Sequence, residues 1–158
     1  MKIYTDGSAH PNPGPGGFGV IVCDMDNKIL KAYAHYEDNT TNNIQELKAI
    51  LYAMSNYGIP KEWASFQTIP IVYSDSAYAI NTFTNWMFSW ERNGWKKSDG
   101  KIPENLEIIQ NYFELYNAGY RIDLQKVSGH SGIKGNELAD RLATGKISVK
   151  DIETNFYK

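Results

Sequence analysis

The chain reads as one α/β domain on a five-stranded mixed sheet, three strands antiparallel and the rest parallel. Three observations carry this. Three strand-like runs near the N-terminus are joined by short turns, which implies an antiparallel meander. The next strand-like run follows a helix, a connection that allows strands to share a sheet without a hairpin. The length of 158 residues suits a single hydrophobic core.

The elements follow in order. Ile3–Thr5, Phe18–Cys23 and Lys28–Tyr36 are strands, rich in β-branched and aromatic residues. Asn12-Pro13-Gly14-Pro15-Gly16-Gly17 separates the first two, and Asp24, Asp26 and Asn27 form the second turn. Thr41 to about Tyr57 is a helix, with Ile44, Leu47, Leu51 and Met54 forming an apolar stripe. Thr40 or Thr41 caps it, and Gly58 with Pro60 ends it. Ile71–Ser74 is a fourth strand, followed by a short helix from Ala77 to about Phe83. A Trp- and Lys-rich segment, about 86–101, precedes a helix from Pro103 to about Asn117, closed by Gly119. Ile122–Val127 alternates as a fifth strand. Gly129 to Gly135 is a loop, and Glu137–Ala143 the last helix. Thr144 to Lys158 has no firm pattern and is expected to be a loosely held tail.

Composition bounds the function. A net charge of −2 and a pI near 5.9 argue mildly against a polyanionic partner. Metal-binding carboxylates, however, lower the pI without repelling a substrate once cations occupy them. The longest apolar run is too short to span a bilayer. From the immediate strand-like start, no signal peptide is expected. Cys23 is the only cysteine, so no internal disulfide forms, and a reducing cytoplasmic setting is expected.

Four acidic residues stand at strand ends or helix flanks. Asp6 ends the first strand and Asp75 the fourth; if those strands are parallel neighbours, both emerge at one sheet edge, where open α/β sheets bind ligands. Glu46 borders the apolar stripe of its helix, where a charge is costly unless compensated. Asp140 opens the last helix. Each alone has an ordinary explanation: a turn former at Asp6, a helix cap at Asp75, a solvated flank at Glu46, a dipole partner at Asp140. Periodicity does not show that they converge.

Five motifs resemble one family. Tyr4-Thr5-Asp6-Gly7-Ser8, followed by Asn12-Pro13-Gly14-Pro15-Gly16-Gly17-Phe18-Gly19, closely resembles the opening signature of type 1 ribonucleases H. Thr41-Asn42-Asn43-Ile44-Gln45-Glu46-Leu47 resembles the family's TNN-x-x-E-L helix start, and Tyr73-Ser74-Asp75-Ser76 its third acidic motif. Gly129-His130-Ser131-Gly132, then Gly135-Asn136-Glu137-Leu138-Ala139-Asp140, resembles the last. The match covers about residues 1–145, in order, and makes this stretch the expected catalytic domain, with 146–158 as the tail.

The resemblance implies an endonuclease that hydrolyses the RNA strand of RNA–DNA hybrids and leaves 5′-phosphate and 3′-hydroxyl ends. It implies that Asp6, Glu46, Asp75 and Asp140 hold two Mg²⁺ ions roughly 3.5–4 Å apart, with Mn²⁺ as a substitute. Zn²⁺ would want His or Cys ligands, which are scarce. By the same resemblance, His130 is a mobile proton carrier, and its ordinary pKa near 6.5 suits that. As a lone loop histidine it also has a solvent-exposed reading. His10 and His35 match no motif.

For substrate, the resemblance implies that Asn42 and the backbone around Gly7 contact 2′-hydroxyls, the group that distinguishes RNA. Asn12 and Thr41 would hold a DNA-strand phosphate or sugar, unless they only shape the turn and cap the helix. Residues 86–101 resemble the family's basic protrusion, with Trp86 and Trp90 on deoxyribose and Trp95 either there or in the core. Arg92, Lys96, Lys97 and Lys101 against Glu91 and Asp99 give this segment a balance of +2. Ala77 stands where several relatives carry Gln, Ser128 where Lys is common, and Glu91 and Asn93 where some relatives are more basic. These departures lower the expected affinity rather than the chemistry. A monomer without an organic cofactor or membrane partner is expected. A non-catalytic module on this fold would tolerate loss of a carboxylate, yet all four are present. Transferases of the integrase or resolvase kind lack the TNN-x-x-E start and the Trp segment.

Overall fold

The computed structural model describes residues 1–129 and 133–156. Its main sheet has the order β3-β2-β1-β5-β7, with β1 Lys2–Ala9, β2 Gly14–Cys23, β3 Ile29–Thr40, β5 Ile71–Ser74 and β7 Asp123–Lys126. The first three strands pair antiparallel, while β1–β5 and β5–β7 pair parallel. This is the expected mixed sheet. A second, two-stranded sheet pairs β4 (Ile59–Pro60) with β6 (Tyr120–Arg121).

Strand alternation distributes the helices. Ile3, Phe18, Val20, Val22 and Val72 pack with Ala49 and Ala53 of α1 (Asn42–Tyr57). Tyr4, Ile21, Cys23, Ile29 and Ala32 pack with Leu138, Ala139 and Leu142 of α5 (Lys134–Ala143). A third apolar cluster joins Leu47, Ile50 and Met54 of α1 to Phe83, Met87, Ile109 and Tyr112. The last two lie on α4 (Leu106–Asn117).

The structure corrects several boundaries. β1 runs to Ala9, so Asp6 lies inside the strand rather than at its end. Its parallel partner β5 pairs only with Lys2 to Tyr4, while β2 pairs along the whole of β1. The expected sheet edge therefore exists, but the end of β5 makes it. Asp140 sits well inside α5, because the helix begins at Lys134.

Residues 145–156 are not loose. They include α6 (Val149–Phe156) and insert Ile152, with no solvent exposure, against the α5 face of the sheet. The eight residues of α6 offered too short a period to read from sequence. Ile152→Ala should cost about 3 kcal/mol through the cavity it leaves, lowering the Tm by roughly 6–12 °C in calorimetry. A Tm within a degree of the parent would return this segment to the status of a tail.

Candidate active site

Two glycines let the helices reach the sheet. A Cβ on Gly7 would stand 2.7 Å from the Gln45 carbonyl oxygen, so only glycine lets β1 lie against the start of α1. A Cβ on Gly19, which pairs with Asp6 across the sheet, would stand 2.6 Å from Leu142 Cβ. Its absence brings α5, and with it Asp140, down beside Asp6. The first turn of α1 is fixed by Thr41, whose hydroxyl accepts from the Ile44 N–H at 3.1 Å.

Asp6, Glu46 and Asp75 each offer an oxygen, and the three oxygens lie within 4.8 Å of one another. Asp140 comes within hydrogen-bonding reach of Asp6. Asp6 and Glu46 are buried, Asp75 and Asp140 half-buried. The helix-cap reading of Asp75 fails, because Ser76 caps the following turn by accepting from the Ala79 N–H. The solvated reading of Glu46 fails on its burial.

The electrostatics are costly. Burial pushes the Asp6 carboxyl up to about 8; the hydrogen bond with Glu46 pulls it down, and the nearby Asp75 and Asp140 carboxylates push it up again. Burial and Asp6 push Glu46 well above the carboxylate range, and a hydrogen bond from the Gly7 N–H only partly offsets this. Glu46 Oε2 is buried without a hydrogen-bond partner among the described residues. Like charges and an orphaned acceptor suit a multivalent hard cation, which prefers all-oxygen ligands. The donor set therefore fits Mg²⁺ or Mn²⁺.

The other expected site residues divide. Asn12 and Asn42 are exposed and linked: Asn12 Oδ1 accepts from the Asn42 N–H at 3.0 Å, and Asn42 Oδ1 from the Ala9 N–H at 2.6 Å. Both side-chain oxygens thus serve the turn, along with the Thr41 cap. His130 lies outside the described residues. Gly129, just before it, stands beside Asp75: a Cβ there would meet Asp75 Oδ2 at 3.0 Å.

Trp86 and Trp90 lie on a continuous helical run, α2 (Ala77–Asn81), a wider π-type turn (Thr82–Trp86) and α3 (Met87–Arg92). Their ring centroids are 6.0 Å apart. They line a cavity of about 820 Å³ with Tyr78, Lys96, Lys97 and Glu104. Trp95 belongs to the core side: its ring meets Phe113 edge-on at 5.3 Å, and its backbone φ is +61°. Sequence reasoning missed Tyr78, whose ring lies 6.2 Å from that of Trp86 and whose hydroxyl accepts from Asn105 Nδ2 at 3.2 Å. The spacing of Tyr78, Trp86 and Trp90 at eight and four residues was the available signal.

The family model of RNase H matches residues 1–148. The chain belongs to the ribonuclease H family. It is thus a nuclease, and its five motifs are those of the type 1 branch. The Ribonuclease H of Caldanaerobacter subterraneus subsp. tengcongensis is 38 % identical over 156 residues, covering 98 % of this chain and 95 % of that protein. That of Thermoanaerobacter sp. strain X514 is 36 % identical over 148 residues, 93 % and 89 % of the two chains. LC9-RNase H1, a type 1 RNase H with the type 2 active-site motif, superposes with a TM-score of 0.69 at 27 % identity, over 91 % and 70 % of the two chains. LC11-RNase H1, solved with an RNA/DNA hybrid, shares this ribonuclease H fold with a TM-score of 0.64 at 21 % identity, over 95 % and 96 %. Among the described residues, no helix is long and apolar enough to cross a membrane.

Proposed function

We propose that this ribonuclease H hydrolyses the RNA strand of RNA–DNA hybrids at the carboxylate cluster, leaving 5′-phosphate and 3′-hydroxyl ends. The observation that carries this is the convergence of Asp6, Glu46 and Asp75, with Asp140 beside Asp6, and a buried Glu46 oxygen without a hydrogen-bond partner among the described residues. The hybrid bound to LC11-RNase H1 supports the substrate class.

Asp6, Glu46, Asp75 and Asp140 would hold two Mg²⁺ ions, or Mn²⁺ in their place. Such a pair supplies an activated water and neutralises the leaving 3′-oxygen. Asp6, buried among the other carboxylates, would be one of the residues that hold these ions. Glu46 Oε2, without a partner among the described residues, is the acceptor a bound cation would satisfy. His130 is assigned proton transfer to and from the departing product, on motif resemblance and on the position of Gly129 beside Asp75.

The chain's other residues orient the duplex. Asn42 and the Gly7 backbone read 2′-hydroxyls, while Asn12 and Thr41 position the DNA strand. Exposure of Asn12 and Asn42, joined at the start of the helix that carries Glu46, supports this. Trp86, Trp90 and the cavity's two lysines form a platform for deoxyribose and phosphate. Trp86→Ala should therefore raise the KM for hybrid about tenfold while changing kcat little, the loss of one stacking contact. An unchanged KM would remove Trp86 from the interface.

The deciding experiment is cleavage of a labelled RNA–DNA hybrid with Mg²⁺, with single-stranded RNA, RNA duplex and DNA duplex as controls. EDTA-sensitive cutting of the RNA strand in the hybrid alone is expected. Binding without cutting would make the chain a hybrid-binding module.

A further inference from the structure

Beside the carboxylate cluster lies a polar constellation that hydrolysis itself leaves without a task. Gln45 is fully buried. Its Nε2 donates to Thr40 Oγ1 at 2.8 Å and to Glu37 Oε2. Lys48 Nζ donates to both Glu37 oxygens, at 2.8 and 2.7 Å. Gln45 Oε1 is buried with no partner among the described residues. Turning the amide over does not cure this, since Oε1 would then face the Glu37 carboxylate.

A methionine or leucine would fill this space and remove the orphaned Oε1, giving up the bond to Thr40 Oγ1 in exchange, so the amide contributes direction more than cohesion. Gln45 and Glu46 are consecutive on α1, about 100° apart around its axis. Gln45 reaches to Glu37 and Thr40 on β3, and Glu46 reaches to Asp6. Against the sheet, α1 presents Ala49 and Ala53 with Tyr52 and Tyr57 beside them, and both tyrosines lie in the second half of the helix. Gly7, lying against the Gln45–Glu46 peptide, has no side chain to engage it. In the first turns, Leu47 packs into the third apolar cluster, and the side chains that reach the strands are the polar Gln45 and Glu46.

We propose that Gln45, braced by Glu37 and Lys48, is a positioning residue that sets the rotation of the first turns of α1 and so places the Glu46 carboxylate opposite Asp6 and Asp75. The inference rests on the reading of that cluster as a cation site.

The test is Mn²⁺ binding to the full chain by titration calorimetry, beside Tm in EDTA and hybrid cleavage. Gln45→Met should keep or raise the Tm, weaken Mn²⁺ binding about tenfold or more, and lower kcat without moving the KM for hybrid. Glu37→Leu should behave like Gln45→Met. Glu37→Gln, whose amide oxygen still accepts from Gln45, should keep the parental affinity. If Gln45→Met does not fold, the two Glu37 variants, made on a partly exposed side chain, decide the matter. Parental Mn²⁺ affinity in Glu37→Leu, or in a folded Gln45→Met, overturns the brace and leaves the cation site standing. A parent chain that binds no Mn²⁺ overturns both.

Discussion

Asp75→Asn yields a folded protein whose hybrid cleavage falls by about a thousandfold or more. The size follows from the several kcal/mol of transition-state charge stabilisation that pass through the cations Asp75 would help hold. The fold should survive because the turns around it form without this carboxylate. The turn after β5 is made by the Ser76 N–H donating to Ser74 Oγ, and the next helical turn by the Ser76 cap. Circular dichroism should match the parent, and single-turnover kinetics with saturating Mg²⁺ should show the loss. Metal-dependent turnover near the parental rate would remove Asp75 from the site.

The second large effect is on stability. Without cations, the folded chain holds Asp6 and Glu46 protonated where the unfolded chain has released those protons. The folded pKa lies above the unfolded one, so the folded state binds the extra proton between about pH 4, the unfolded value, and about pH 8 for Asp6. Stability therefore falls as pH rises through that window. In EDTA, the Tm should drop between pH 5 and 8.5 by roughly 6–12 °C, for a change on the order of 3 kcal/mol. Millimolar Mg²⁺ should restore it at pH 8 and do little at pH 5, because binding adds stability only to the deprotonated site. Asp6→Asn should flatten the EDTA profile and raise its alkaline end. A flat profile in the parent chain would mean the carboxylates are not mutually strained.

Much of this was legible in the sequence because the site is written in local signals. Asp75 follows a short β-branched strand, and Glu46 interrupts a helical stripe by one position. What the sequence hid depends on partners distant along the chain. The polar Glu37–Asn39 stretch looks like the end of β3, yet it continues to Thr40 because β2 runs beside it from Gly14. Asp6 looked terminal because a Gly-rich turn follows, but backbone pairing with β2 needs no side chains and carries the strand to Ala9. The depth of Asp140 in α5 and the anchoring of Ile152 follow from packing against strands more than a hundred residues earlier. The partnership of Gln45 with Glu37 and Lys48 spans two elements, and no periodicity announces it.

Residues 61–68, between β4 and β5, are exposed at every position. This bridge divides the four carboxylates two and two: Asp6 and Glu46 before it, Asp75 and Asp140 after it. A single protease nick there leaves one fragment with the antiparallel meander and α1, the other with β5, β7 and α5. Neither fragment would hold more than two of the four carboxylates proposed to bind the cations. Hybrid cleavage thus doubles as an assay of reassembly, since turnover returns only when the two halves rebuild the parallel seam between β1 and β5.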